Sequence, residues 1–76
     1  NETEANPRAM INQLSEREIQ VLRLLVHGKR NKEIAIALNI SDKTVSTYRS
    51  RLMKKIKVKN LVEMLKKLQH IDLDMY

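Results

Sequence analysis

A chain of 76 residues with one glycine, one proline and no cysteine is a single small domain, which excludes a disulfide-stapled module and a cysteine zinc site. Its longest apolar run, Ile34 to Leu38, is five residues, far below the ~18 that a membrane span needs, so a soluble, cytoplasmic protein with no membrane partner is expected. The formal charge of +6 is uneven: Lys43, Arg49, Arg51, Lys54, Lys55, Lys57 and Lys59 stand against Asp42 alone within positions 41–60. A field so concentrated attracts polyanions, nucleic acid foremost, although a solvated helix face would carry the same charge.

In chain order, residues 1–13 are polar and acidic, contain Pro7 and show no helical or strand period, so a flexible linker or arm is expected there. The chain begins at Asn1, which suggests an output domain cut from a longer protein. The folded domain is expected over 14–71, with 72–76 as a C-terminal tail to which Asp72 and Asp74 bring charge but no role.

Ser15-Glu16-Arg17-Glu18 is a capping box, and Leu14 with Ile19 forms a hydrophobic staple around it. Apolar residues then recur at 19, 22, 25 and 26 until Gly28, which predicts a first helix over about 15–27. Asn31 is a good N-cap for a second helix over 31–38 that turns Ile34, Ala35 and Leu38 to one side, and Asn39 suits a left-handed turn. Ser41 caps a third helix over 41–56, with Ile40 and Val45 as a second staple. Asn60 and Glu63 begin a fourth, with Leu61, Met64, Leu65 and Leu68 as its buried stripe and its end near His70. The expected fold is all-α, a four-helix bundle with a central helix-turn-helix. Its core has no Phe or Trp and is built from Leu, Ile, Val and Met.

The second and third helices meet the packing demands of a helix-turn-helix: small Ala35 permits close approach, Asn39 makes the turn, and Ile34, Leu38, Ile40, Val45 and Tyr48 pack. Projected at about 100° per residue, Val45, Tyr48, Leu52 and Ile56 share the core side of the third helix, while Lys43, Ser46, Thr47, Ser50 and Lys54 share the opposite one. Arg49 and Arg51 lie on the flanks. Such a face suits a DNA major groove: short hydroxyl side chains let the helix approach, Thr47 can touch a thymine methyl, and the cations reach phosphates. Lys43 in the first turn opposes the helix dipole, a penalty that a nearby phosphate would reverse.

At this point the sequence resembles a known family. Leu14-Ser15-Glu16-Arg17-Glu18, Val21-Leu22, Gly28, Asn31-Lys32-Glu33-Ile34-Ala35, Leu38, Ile40-Ser41, Lys43-Thr44-Val45, Lys55-Ile56 and Val58 are similar to the LuxR-type helix-turn-helix domain of NarL/FixJ response regulators over residues 14–68. The resemblance implies a tetrahelical DNA-binding output domain of a bacterial two-component or quorum-sensing regulator. It implies base contacts from Ser46, Thr47 and Ser50, backbone contacts from Lys32, Lys43, Thr44, Arg49 and Arg51, to which the projection adds Lys54, and a homodimer through the fourth helix on a two-fold-related site. It leaves room for RNA polymerase as a further partner. The family often has Lys at the position of Ser46, His at that of Tyr48, and Arg or Lys at that of Leu61.

For the dimer, Val62, Leu65, Gln69 and Leu73 lie within an arc of about 80° displaced from the core stripe, with Leu65 between the two. Two other readings stand beside sequence-specific double-stranded DNA binding: a sigma-factor-like promoter-recognition domain and a basic helical protein-interaction module. An enzyme is not expected, nor a cofactor or metal. No His stands at helical spacing beside a nucleophile, and one glycine cannot make a phosphate loop.

Overall fold

The structure is a computed structural model in which residues 7–69, 71 and 73 are described. It is all-α, with helices α1 (Pro7–Ile11), α2 (Glu16–Val26), α3 (Asn31–Leu38), α4 (Asp42–Ile56) and α5 (Leu61–Leu68) and no strand among the described residues. The last four are the four expected helices, each within two residues of its expected ends.

The turns after α2, α3 and α4 close in the same way. After α2, the N–H of Gly28 donates to the Leu25 carbonyl oxygen and that of Lys29 to the Leu24 carbonyl oxygen, both at 3.0 Å, with Gly28 at φ +86°. This paired pattern is the Schellman motif, which satisfies carbonyls left over at a helix end. It recurs after α3, where Asn39 takes φ 56°, and after α4, where Lys57 takes φ 64°. At the N-termini, Ser15 Oγ accepts from the Glu18 N–H at 3.2 Å while the Glu18 carboxylate accepts from the Ser15 N–H at 2.8 Å, completing the expected box. Ser41 and Asn60 cap α4 and α5 through the N–H groups of Thr44 and Glu63.

One cap differs from expectation. The capping position of α3 is Arg30, whose N–H donates to the Glu33 carboxylate at 2.9 Å, and Asn31 is the first helical residue. The Asn31 side chain is engaged elsewhere, across the gap to α4.

The core is aliphatic: Ile11, Val21, Leu22, Leu25, Ile34, Val45, Leu52, Ile56, Met64 and Leu68 are buried. Helix α4 runs through its centre and packs on α2, α3 and α1, with Val45, Leu52 and Ile56 inward and Tyr48 half-buried against the cluster. Ala35 is buried where α3 needs a small residue. Helix α5 supplies Met64 and Leu68, and its Lys67 Nζ donates to the Ile56 carbonyl oxygen at 2.9 Å, filling an acceptor that the end of α4 leaves open.

The arm expected over residues 1–13 is corrected over its second half; residues 1–6 lie outside the described set. Residues 7–11 form α1, and Met10, Ile11 and Leu14 are buried with the rest of the core. Five residues cannot sustain a helix alone. Burial of Met10 and Ile11, with Pro7 at the first helical position where its missing N–H costs nothing, accounts for it. Leu73, expected beside Val62 on the outer arc, is likewise buried.

Glu18 is the charged side chain buried among the described residues, 3% exposed. Its Oε1 meets Lys55 Nζ of α4 at 2.8 Å, and the same ammonium lies 3.5 Å from the Gln13 carbonyl oxygen beyond α1. Burial alone would raise the pKa of Glu18. The hydrogen bond from Lys55, those from the Ser15 N–H and hydroxyl, and the Lys55 charge outweigh it and hold the carboxyl below the ordinary 4.5.

Two measurements check these assignments. Ile11→Ala should lower unfolding stability by about 2–4 kcal/mol in denaturant melts, whereas a tether at that position would leave the midpoint unchanged. Because the folded pKa of Glu18 is depressed, its stabilisation is complete above about pH 4.5 and is lost as pH falls through the lower folded value. Glu18→Gln should therefore be less stable than the parent at pH 7, with the gap closing at acid pH; a gap independent of pH would refute the ion-pair account.

Candidate nucleic-acid interface

The packing that buries one side of α4 presents the other. Lys43, Ser46, Thr47, Ser50 and Lys54 are all exposed, as the projection requires, and Arg51 is exposed beside them. Thr44 and Arg49 are half-buried on the flanks, and Lys32 is exposed on α3. The protruding face therefore has short hydroxyl side chains along its middle and cations at its ends and edges. That shape allows close approach to a groove while placing positive charge at its walls.

The hydroxyls differ in their local bonding. Thr44 Oγ1 lies 2.8 Å from Ser41 Oγ, within the cap. Thr47 Oγ1 donates to the Lys43 carbonyl oxygen at 3.1 Å, the i−4 back-bond typical of Thr in helices. Ser46 Oγ accepts from Asn31 Nδ2 at 3.0 Å, and Asn31 Oδ1 accepts from Arg49 Nη1, also at 3.0 Å. Asn31 thus ties the start of α3 to two residues of the α4 face. Sequence reading assigned Asn31 to a cap because its type fits one; partners 15 and 18 residues away become visible only once α3 and α4 are packed.

At the other end of the domain, α5 leaves Val62 62% exposed and Leu65 36% exposed, with Gln69 exposed after them. Leu65, ambiguous between core and outer arc, therefore sits at the margin of an outer apolar patch formed with Val62. Ile36 on α3 is a further exposed apolar side chain, 73% exposed, which helical spacing could have revealed because it lies opposite Ile34 and Leu38. Among the described residues no group of three His or acidic side chains could hold a metal ion, and no helix is long and apolar enough to cross a membrane.

An aliphatic helical frame that exposes the second helix of a helix-turn-helix, with a short-chained and basic outer face, defines a small helical domain of the DNA-binding kind. Residues 12–68 match the family model of the bacterial regulatory proteins of the luxR family, and the chain belongs to that family. The family's domain is the DNA-binding part of transcription regulators and is not an enzyme.

Similar curated proteins include the virulence factors putative positive transcription regulator BvgA of Bordetella pertussis, 48% identical over 56 residues, 74% of this chain and 27% of that protein. The DNA-binding transcriptional activator EvgA of Escherichia coli K12 is 48% identical over 54 residues, 71% of this chain and 26% of that protein. The uncharacterized response regulatory protein YgeK of the same strain is 49% identical over 55 residues, 72% of this chain and 37% of that protein. The chain thus spans between 26% and 37% of the length of these relatives. No solved structure matches it.

Lys43 is the second residue of α4, where the dipole favours an acid such as its neighbour Asp42. Lys43→Glu should therefore raise stability by about 0.3–1 kcal/mol, readable as a higher melting temperature. A lower melting temperature would assign Lys43 a structural role.

Proposed function

We propose that this chain binds double-stranded DNA sequence-specifically as the output domain of a bacterial transcription regulator of the two-component response-regulator type, acting in the cytoplasm. Helix α4 lies in the major groove. Ser46, Thr47 and Ser50 face base edges; Lys32, Lys43, Thr44, Arg49, Arg51 and Lys54 face the phosphate backbone. The observation that carries this reading is the face of α4 itself, where small hydroxyls are flanked by cations and no acidic side chain intrudes between Lys43 and Lys54. The family membership and the relatives named as transcription regulators support it.

Two copies would meet through Val62, Leu65 and Gln69 on α5, each reading one half of a two-fold-related site. The exposure of Val62 on a helix whose inner residues already fill the core supports that assignment. An activator would also meet RNA polymerase, and the relatives described as positive regulators or activators support that partner.

The test is selection from a pool of randomised duplex DNA at two salt concentrations. A two-fold-related motif bound with steeply salt-dependent affinity is expected. Weak, salt-insensitive binding with no enriched motif would favour a protein-interaction module instead. Arg51→Ala and Lys54→Ala should each weaken binding to all sequences alike and reduce the salt slope by about one unit, because phosphate contacts carry no sequence information; an unchanged slope in both variants would remove them from the backbone. Val62→Lys should reduce binding to the full two-fold site toward the affinity for a half-site, while equal affinity for both would place the dimer contact elsewhere.

A further inference from the structure

Two adjacent hydroxyls on the exposed face of α4 have opposite hydrogen-bond polarity, and Asn31 sets one of them. A guanidinium has only donors, so Arg49 Nη1 at 3.0 Å fixes the carbonyl end of the Asn31 amide toward itself. The NH2 end is thereby turned to Ser46, whose Oγ accepts from it at 3.0 Å. With one lone pair occupied by a donor, the Ser46 hydroxyl is polarised to give its own proton outward. Thr47 is the reverse. Its proton goes to the Lys43 carbonyl oxygen at 3.1 Å, which leaves lone pairs and the methyl group for a partner.

We propose that Asn31, on α3, is a positioning residue for base specificity: it presets Ser46 as a hydrogen-bond donor to an acceptor on a base edge, beside a Thr47 preset as an acceptor and methyl contact. This rests on the reading of α4 as the base-reading helix. In the major groove guanine offers only acceptors, O6 and N7, whereas cytosine offers a donor, its N4 amino group. Ser46 therefore favours guanine over cytosine at its position. Thr47 favours an amino group or a thymine methyl at the next. The short Ser46 side chain makes this dependence possible, because its single hydroxyl carries all its polar recognition and the Asn31 amide lies against it.

The closing experiment compares selected sites for the parent, Ser46→Ala, Thr47→Ala, Ser50→Ala, Asn31→Ala and Asn31→Asp, with thermal melts to confirm that each variant is folded. Asn31→Asp keeps the size of the side chain and an acceptor for Arg49, but it has no N–H to give. Ser46 must then donate inward to the carboxylate and present acceptor lone pairs outward. The expected result is that Ser46→Ala identifies one position in each half-site, that Asn31→Ala relaxes preference at that same position, and that Asn31→Asp shifts it from guanine toward cytosine by roughly tenfold in relative enrichment. The added charge of Asp lowers affinity for every sequence and leaves the other positions unchanged.

If Ser46→Ala alters a position that both Asn31 variants leave intact, the proposal is overturned while base reading by α4 stands. If Ser46→Ala, Thr47→Ala and Ser50→Ala all return the parental site, base reading by this face fails and the proposal fails with it.

Discussion

The buried carboxylate of Glu18 is the constraint on which the arrangement of the domain depends. In a core otherwise made of aliphatic side chains, it joins three parts of the chain. It closes the cap of α2 on Ser15, it holds Lys55 near the end of α4, and through Lys55 it reaches the backbone at Gln13 beyond α1. A buried carboxylate is costly unless each partner is in place. The geometry that satisfies it is therefore specified more narrowly than aliphatic packing alone would require. Lys55 is one residue before the last of α4, so this link agrees with the rotation that burial of Val45, Leu52 and Ile56 gives the helix.

The outward side bears choices that local stability does not favour. Lys43 sits where the helix dipole disfavours a cation. Lys57 takes a left-handed backbone conformation that favours glycine. Ile36 and Val62 expose apolar surface on helices whose inner faces are already buried. These departures fall on surfaces around α3, α4 and α5, while the aliphatic core and the caps of α2 and α4 follow local propensity closely. On the proposed function these are the surfaces that would meet DNA and a second copy of the chain, and unfavourable local choices concentrate at such sites.

Much of this was legible in the sequence because it rests on short-range rules. The capping residues Ser15, Ser41 and Asn60 each act within three residues, and the inner and outer faces of α4 follow from helical spacing over fifteen residues. Helix α1 was illegible because five residues, with Met10 and Ile11 adjacent, cannot display a period; its structure comes from burial against α4. Asn31 was misplaced by one position because an amide is equally suited to a cap and to a bridge, and the bridge depends on how α3 crosses α4. Leu73 fitted the outer arc only if the fourth helix continued past Leu68, whereas the helix ends there and Leu73 is buried. The resemblance to the family names Ser46 among the base-facing residues, whereas the link from Asn31 to it depends on how the two helices pack.

The central claim is that the outer face of α4 is the surface that meets DNA. Amide chemical-shift mapping tests it most directly: the isotopically labelled chain is titrated with a mixed-sequence duplex at low salt and then with its selected site. The account predicts the largest changes at residues 43–54 of α4 and at Lys32, with the amides around Val62 changing only on the two-fold site. Changes centred on α2, with α4 unaffected, would contradict it.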